Sequence, residues 1–263
     1  MADHAPDAID TSRPHSARIW NHLLGGEDNY EADRAAAAAI LSVFPGMADI
    51  TRHSRQFTGR AVGHLVRDAG IRQFLDVGSG LPTADNTHEI AQRTAPEARI
   101  VYVDNDPLVL AHARALLTST PEGRCQYVDA DARDTDRILE EAARTLDFTR
   151  PVGLMLMGIL GLIEDYDEAR SLVRRLLAAL PPGSHLALND GTTTDPAYVE
   201  ALHRHNPRAA VPYTPRAPHQ IERYFENLHL LPPGVVSCPR WHPDPTAETP
   251  PEVAAYGGVA RKP

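Results

Sequence analysis

Residues 72–83 read Arg-Gln-Phe-Leu-Asp-Val-Gly-Ser-Gly-Leu-Pro-Thr, and the fold follows from what changes at the first glycine. Phe74, Leu75 and Val77 make a short apolar run that stops at Gly78-Ser79-Gly80, the pattern of a buried strand feeding a tight glycine loop. Downstream the chain repeats strand then helix, which predicts a parallel sheet covered on both faces. Such sheets bind ligands in the crevice beyond the carboxyl ends of their strands, where this loop sits. A nucleotide-like cofactor over Gly78 and Gly80 is therefore expected.

The 263 residues accommodate one α/β domain with an N-terminal helical extension. A net charge of -9 argues against a nucleic-acid partner, since backbone binding needs a clustered basic surface. Arg52, Arg55, Arg60 and Arg67 recur along one predicted helix and read as its solvated face. Cys125 and Cys238 form no CxxC pair, His203 and His205 point to different sides of a helix, and no HExxH occurs, so no metal is expected. Met1 to Arg18 lacks the apolar core of a signal peptide, and no run approaches the roughly 18 apolar residues of a membrane span. The expectation is a soluble cytoplasmic protein without a membrane partner.

Residues 1–15 lack periodicity and read as a flexible start, residues 16–70 as a helical extension or lid, and residues 71–263 as the sheet domain. In the extension, Ala17 to Leu24 ends at Gly25-Gly26; Asp28 with Glu31 resembles a capping box that launches the next helix. A third helix is expected from Thr51 to Asp68. Residues alone leave the segment from Gly25 to Tyr30 between a plain helix-helix turn and a ligand lid.

The second strand, Arg99 to Val103, ends in Asp104-Asn105-Asp106-Pro107. Pro107 suits the first turn of a helix and Asp106 its cap, which leaves Asp104 free to reach a ribose on the glycine loop. That helix would turn Val109, Ala113, Leu116 and Leu117 inward. Cys125 to Val128 is a third strand ending at Asp129-Ala130-Asp131-Ala132, with Asp131 divided between turn and ligand roles. Val152 to Leu162 is apolar enough for a central strand, and Asp165 with Glu168 caps the helix after it. His185 to Leu188 is a fifth strand leading into Asn189-Asp190. A helix from about His219 to Leu228 follows, and Val235-Val236 with Val253 to Ala260 forms an antiparallel final pair.

Three consecutive strands thus deliver a glycine loop or an acid to one edge, which suits a ligand with a ribose diol and an adenine amino group. Thr83 stands where a dinucleotide fingerprint has its third glycine, and no basic residue lies in the loop, which disfavours a nicotinamide-dependent oxidoreductase. At these motifs the chain resembles the class I S-adenosylmethionine-dependent methyltransferases: Phe74 to Gly80, Val101 to Pro107 and Asp131-Ala132 match their three cofactor segments. It is most similar to an actinobacterial family of uncharacterised methyltransferases first catalogued as a domain of unknown function. The likeness covers nearly the whole chain, including Leu-Leu-Gly-Gly-Glu-Asp-Asn-Tyr up to Tyr30 and Gly-Leu-Pro-Thr up to Thr83.

The resemblance implies a Rossmann-like, doubly wound, mostly parallel α/β sheet of seven strands, the last antiparallel. It implies S-adenosylmethionine as cofactor and a small-molecule methyl acceptor. Carried over residue by residue, Gly78, Ser79 and Gly80 meet the methionine portion, Asp104 the ribose hydroxyls and Asn105 the adenine. Asp131 and Ala132 lie near the adenine amino group, Asp76 meets the ammonium, and Asn29 and Tyr30 belong to a lid. Gly161-Leu162 departs from the aromatic or His pair common in the family, and Asn189-Asp190 from Ser-His. Both departures face the acceptor, so a cofactor-binding protein without catalysis is the alternative reading. Asn189, Asp190 and His219 are the candidates for a base, ahead of Tyr198 and Tyr213. Oligomeric state is left open.

Overall fold

Alternating side chains along the strands decide the architecture. Phe74 and Leu75 are both fully buried, yet they join different cores: Phe74 meets Ile100, Met155 and Val259 on one face of the sheet, and Leu75 meets Val101, Leu154 and Leu186 on the other. The computed structural model describes residues 9–82, 85–109, 111, 118–243 and 250–263. Residues 1–8, Thr83, and the expected core positions Ala113, Leu116 and Leu117 lie outside the described residues.

The elements in chain order are α1 (Ser16–Leu23), α2 (Glu31–Val43), α3 (Met47–Arg67), β1 (Gln73–Val77), α4 (Thr87–Thr94), β2 (Arg99–Asp104), β3 (Arg124–Asp129) and α5 (Thr135–Ala142). They continue with β4 (Gly153–Met157), α6 (Tyr166–Ala178), β5 (His185–Gly191), α7 (Pro196–His205), α8 (Pro218–Glu222), β6 (His229–Leu230), β7 (Val236–Ser237) and β8 (Ala255–Arg261). The sheet runs β3-β2-β1-β4-β5-β8-β6, and β7 also pairs with β8. The first five strands of that order are parallel, while β8 is antiparallel to β5, β6 and β7. This is the expected Rossmann-like sheet with an antiparallel last strand, extended by the two-residue β7 to eight strands among the described residues.

Helix α3 is no appendage. Its Phe57, Ala61 and Leu65 are fully buried in the same cluster as Phe74 and Ile100, so the extension supplies one covering layer of the sheet. The Arg60 guanidinium donates from Nε to Trp241 O at 2.9 Å and from Nη2 to Cys238 O at 2.7 Å, tying that layer to the C-terminal segment. On the other face α5 and α6 pack Ile138, Leu172 and Leu176 against Leu75 and Leu154. Truncating one such buried leucine costs about 2–5 kcal/mol.

Several boundaries moved. The apolar run 152–162 is strand only to Met157; Gly158, at φ 73, turns the chain and donates its N–H to Asn189 O at 2.8 Å, and residues 160–162 form a 3-10 turn. An apolar run cannot by itself separate strand from buried turn. The helix expected over 219–228 stops at Glu222 and continues as a 3-10 turn over 223–225. Helix α2 is capped by Asp33, which accepts the Tyr30 N–H at 2.9 Å, instead of by Asp28 and Glu31. The Asp165 cap stands as expected, accepting the Glu168 N–H at 2.8 Å. Among the described residues no helix is long and apolar enough to cross a membrane.

Candidate functional site

The glycine loop is fixed from behind and open in front. Gly78 and Gly80 sit at φ 75 and 66, where side chains are disfavoured. The N–H groups of Gly78 and Ser79 donate to Val103 O at 2.8 and 3.2 Å. The Gly80 N–H donates to Asp104 Oδ2 at 2.8 Å, while Asp104 Oδ1 accepts the Asp106 N–H at 3.0 Å. Asp104 is therefore not free, as its spacing suggested. It clamps the loop to the end of β2, and burial pushes its carboxyl upward against those two donors. A Cβ on Gly78 would stand 2.5 Å from the Ile159 side chain, whereas one on Gly80 would meet nothing within 4 Å, so the open side of the loop faces a cradle.

That cradle is part of a cavity of about 220 Å³ across the carboxyl ends of β1 to β5. Asp76, Gly78, Ser79, Gly80, Asp104, Asn105, Asp131 and Ala132 all line it. Asp106 plays the cap role expected of it, accepting the Leu108 N–H at 2.9 Å. Asp131 accepts the Arg133 N–H at 2.8 Å, and the Arg133 guanidinium reaches both Asp131 Oδ2 at 3.3 Å and Glu168 Oε1 at 3.2 Å. Half-exposed, Asp131 keeps acceptor capacity toward the cavity.

At the inner end Asp76 is buried, and the Thr87 hydroxyl donates to its Oδ2 at 2.7 Å. Burial lifts the Asp76 carboxyl to about 6, with Thr87 and the nearby Arg55 guanidinium opposing the shift. Arg55 lines the same end of the cavity, and its Nη2 donates to Asp85 O at 2.7 Å. Reading Arg55 as a solvated helix residue was wrong. A signal existed in the sequence: Thr51, Ser54 and Thr58 form a small polar stripe beside it on α3, and all three are buried.

The roof comes from the N-terminus. His15, Trp20, Asn21 and Leu24 line the cavity from α1 and its approach. His15 Nδ1 lies 3.0 Å from Asp106 Oδ2, and Arg18 Nε lies 3.6 Å from the same oxygen. The Ala210 N–H donates to Pro14 O at 3.2 Å, and Arg13 Nη2 donates to Ala209 O at 3.1 Å. Within the segment expected as a flexible start, residues 10–15 make polar contacts with Arg18, Asp33 and the 209–210 backbone. Asn29 and Tyr30 do not line the cavity. Asn29 Nδ2 donates to Asn21 Oδ1 at 3.0 Å and to Gly26 O at 2.9 Å, bracing a residue that does, and Tyr30 lies 5.5 Å under the Arg18 guanidinium.

Over β4 and β5 the wall is Met157, Ile159, Leu162, Asn189 and Tyr213. A Cβ on Gly161 would stand 2.3 Å from the Tyr213 ring, so the aromatic group missing at this turn is supplied by a distant loop. The Tyr213 hydroxyl donates to Asp190 Oδ1 and accepts the Gly191 N–H at 2.8 Å, and Asp190 Oδ2 accepts the Gly161 N–H at 3.0 Å. Asp190 is buried behind Tyr213, with its carboxyl raised by burial to about 6. His219 is exposed on α8 and outside the lining, because the short helix turns it to solvent.

A family model for S-adenosyl methyltransferases matches residues 2–263. The chain belongs to that family. The methyltransferase is similar to a DUF574 family protein from Streptomyces avermitilis MA-4680: 46% identity, TM-score 0.92, 97% of this chain and 100% of that one covered. It is also similar to a protein from Thermobifida fusca YX classed among methyltransferases: 40% identity, TM-score 0.88, 99% of each chain. A carboxy-S-adenosyl-L-methionine synthase from Chromohalobacter salexigens is 26% identical over 194 residues, 70% of this chain. The methyltransferase spans 64% of the length of that curated relative. The cofactor of the family is S-adenosylmethionine, and the open, acid-lined cradle fits an adenosine with a zwitterionic tail.

Proposed function

We propose that this methyltransferase transfers the methyl group of S-adenosylmethionine to a small molecule held over the ends of β4 and β5. The observation that carries the reading is the division of one cavity into two halves. Acids and the glycine cradle line the half over β1 to β3, and mainly apolar side chains line the other. S-adenosylmethionine supplies, when bound, a methyl already activated on sulfur, so the chain's task is alignment and exclusion of water. Asp104 would accept from the ribose hydroxyls, Asp131 with the 130–132 backbone would face the adenine, and Asn105 would flank it. Asp76 would receive the ammonium and Arg55 the carboxylate of the methionine end, a pairing of opposite charges. Asn29 and Tyr30 would act on the lid indirectly, by bracing α1.

Melting temperature with S-adenosylmethionine, S-adenosylhomocysteine and NAD tests the cofactor half. A ligand at a hundred times its Kd stabilises by about 2.7 kcal/mol, several degrees for a chain of this size. Both adenosyl compounds should raise the melting temperature and NAD should not. Stabilisation by NAD alone would refute the reading. Radiolabelled methyl transfer to a metabolite panel tests the other half, and binding without turnover on any acceptor would favour a non-catalytic cofactor-binding protein.

A further inference from the structure

We infer that Tyr213, backed by Asp190, takes the proton of the methyl acceptor, and that this acceptor is a neutral, largely apolar molecule bearing a hydroxyl group. The inference rests on the methyltransferase reading above and extends it to the acceptor. Tyr213 lines the cavity on the side of β4 and β5, which the cofactor cradle over β1 to β3 leaves open. Its surroundings there are mostly apolar: beside the Asn189 amide, Met157, Ile159, Leu162 and Val211 share the lining. Val211 lines the same cavity and is the exposed large hydrophobic residue among those described, 41% accessible. A charged acceptor would lose hydration against such a wall without recovering it.

The polar geometry selects a hydroxyl. Asp190 does not line the cavity, because the Gly161 N–H covers Oδ2 and the Tyr213 hydroxyl covers Oδ1. An ammonium acceptor therefore finds no carboxylate on this wall. The polar groups of this wall are the Asn189 amide, which donates to Cys238 Sγ at 3.5 Å, and Tyr213, whose hydroxyl donates to Asp190, accepts from the Gly191 N–H, and keeps one lone pair. Among neutral groups that can donate to that lone pair, a hydroxyl must lose its proton as its oxygen attacks the methyl carbon, whereas an amine attacks through its nitrogen lone pair and needs no base for that step.

The step balances. The acceptor O–H bond breaks as its oxygen bonds to the methyl carbon, and the methyl's bond to sulfur breaks with the electron pair remaining on sulfur. The proton moves to Tyr213 Oη while the proton already there passes to Asp190 Oδ1. One positive charge on sulfur and one negative charge on Asp190 vanish together, so the buried site carries no new charge afterwards. Burial sets the Asp190 carboxyl at about 6, which leaves it ionised at neutral pH and a better base than a solvated carboxylate. Tyr198, Tyr224 and Arg216 also face Asp190; burial raises both tyrosine hydroxyls, so neither changes charge between pH 5 and 8.

The test compares wild type, Tyr213→Phe and Asp190→Asn on phenols of graded acidity and matched anilines, with the Kd for S-adenosylhomocysteine measured by calorimetry. Wild type should methylate phenols, with kcat/KM rising through an apparent pKa near 6 that Asp190→Asn abolishes. Tyr213→Phe should keep its Kd and lose about 100–10,000-fold on weakly acidic phenols, the size of a general-base contribution. The loss should shrink on nitrophenols, which arrive already ionised. Because that contrast is made within one variant, it does not depend on how much of the variant folds. An equal loss on all phenols would overturn the inference in favour of a structural Tyr213. Wild type that binds S-adenosylhomocysteine but methylates only anilines would overturn it and leave the methyltransferase reading standing. Wild type that binds no adenosyl compound would overturn both.

Discussion

The Tyr213 ring occupies the space a side chain at Gly161 would need: a Cβ there would lie 2.3 Å from the ring. The two residues are far apart in sequence and are joined further by the Thr214 N–H, which donates to Gly161 O at 2.7 Å. Gly161→Ala should push the ring off its place at an overpacking cost of about 1–3 kcal/mol. Calorimetry should find the S-adenosylhomocysteine affinity kept, since the cradle lies over other strands, while methyl transfer falls at least as far as in Tyr213→Phe. A variant with full turnover would show that the position of the ring does not matter.

Asp76 makes stability depend on pH in a direction opposite to that of an ordinary surface acid. Its carboxyl stands at about 6 in the fold against 3.8 for a solvated aspartate, so the folded state holds the extra proton between those values. The associated stability is present below about pH 4 and is lost as pH rises to 6, on the order of 1–3 kcal/mol. Asp76→Asn keeps an acceptor for the Thr87 hydroxyl and removes the buried charge. Its melting temperature should match wild type near pH 4.5 and exceed it at pH 7.5. His185, depressed by burial to about 4, acts in the opposite sense, its stability present above about 6.5 and lost as pH falls. The comparison is therefore variant against wild type at each pH, which cancels His185. Equal melting temperatures at pH 7.5 would contradict a buried, charged Asp76.

Asn29 reaches the site at second hand. Its amide donates to Asn21 Oδ1 and Gly26 O, and it is Asn21 that lines the cavity. Asn29→Ala removes those two neutral hydrogen bonds, worth about 0.5–1.5 kcal/mol each, together with an exposed one accepted from Arg34 Nη1, so S-adenosylhomocysteine affinity should weaken by about 3–10-fold. Asp104→Ala, which cuts the clamp on Gly80 and the ribose acceptor together, should weaken it more. Fluorescence titration of the two variants separates them, and an unchanged Kd in Asn29→Ala would remove the 25–30 loop from any role in cofactor retention.

The half of the cavity over β1 to β3 was legible because its groups sit where chain direction changes. A glycine pair after an apolar run, an acid at the end of each neighbouring strand and a proline opening the next helix all leave marks in local sequence. Asp104 was located but not its clamp on the glycine loop, since the Gly80 N–H that it accepts depends on how two strand ends meet. The half over β4 and β5 left no such marks. Tyr213 comes from a loop with no regular period and reaches Asp190 and Gly161 across the fold, and the missing aromatic at 161 looked like a loss because its replacement arrives from elsewhere. The apolar run 152–162 hid its own bend for a related reason: Gly158 turns against Asn189 of a different strand.

Arg55 is the sharpest case of a residue misjudged by local pattern, and it yields a discriminating experiment. It recurs with Arg52 and Arg60 along α3, yet Arg52 pairs with Asp49 near solvent, Arg60 anchors the C-terminal segment, and Arg55 alone of the three lines the cavity. Burial depresses its guanidinium, with the Asp76 carboxylate the largest opposing influence. A methionine tail placed there would set its carboxylate against Arg55 and its ammonium against Asp76. Arg55→Met retains much of the side-chain bulk and removes the charge. Losing a hydrogen bond to a charged group costs about 1.5–3 kcal/mol, so the Kd for S-adenosylhomocysteine should rise about 10–150-fold. Methylthioadenosine carries the same adenosine and sulfur without the amino-acid end, and its Kd should not move. Equal weakening of both ligands would mean that Arg55 supports the cavity wall instead of binding the methionine carboxylate, because a contact with the amino-acid end weakens only the ligand that carries it.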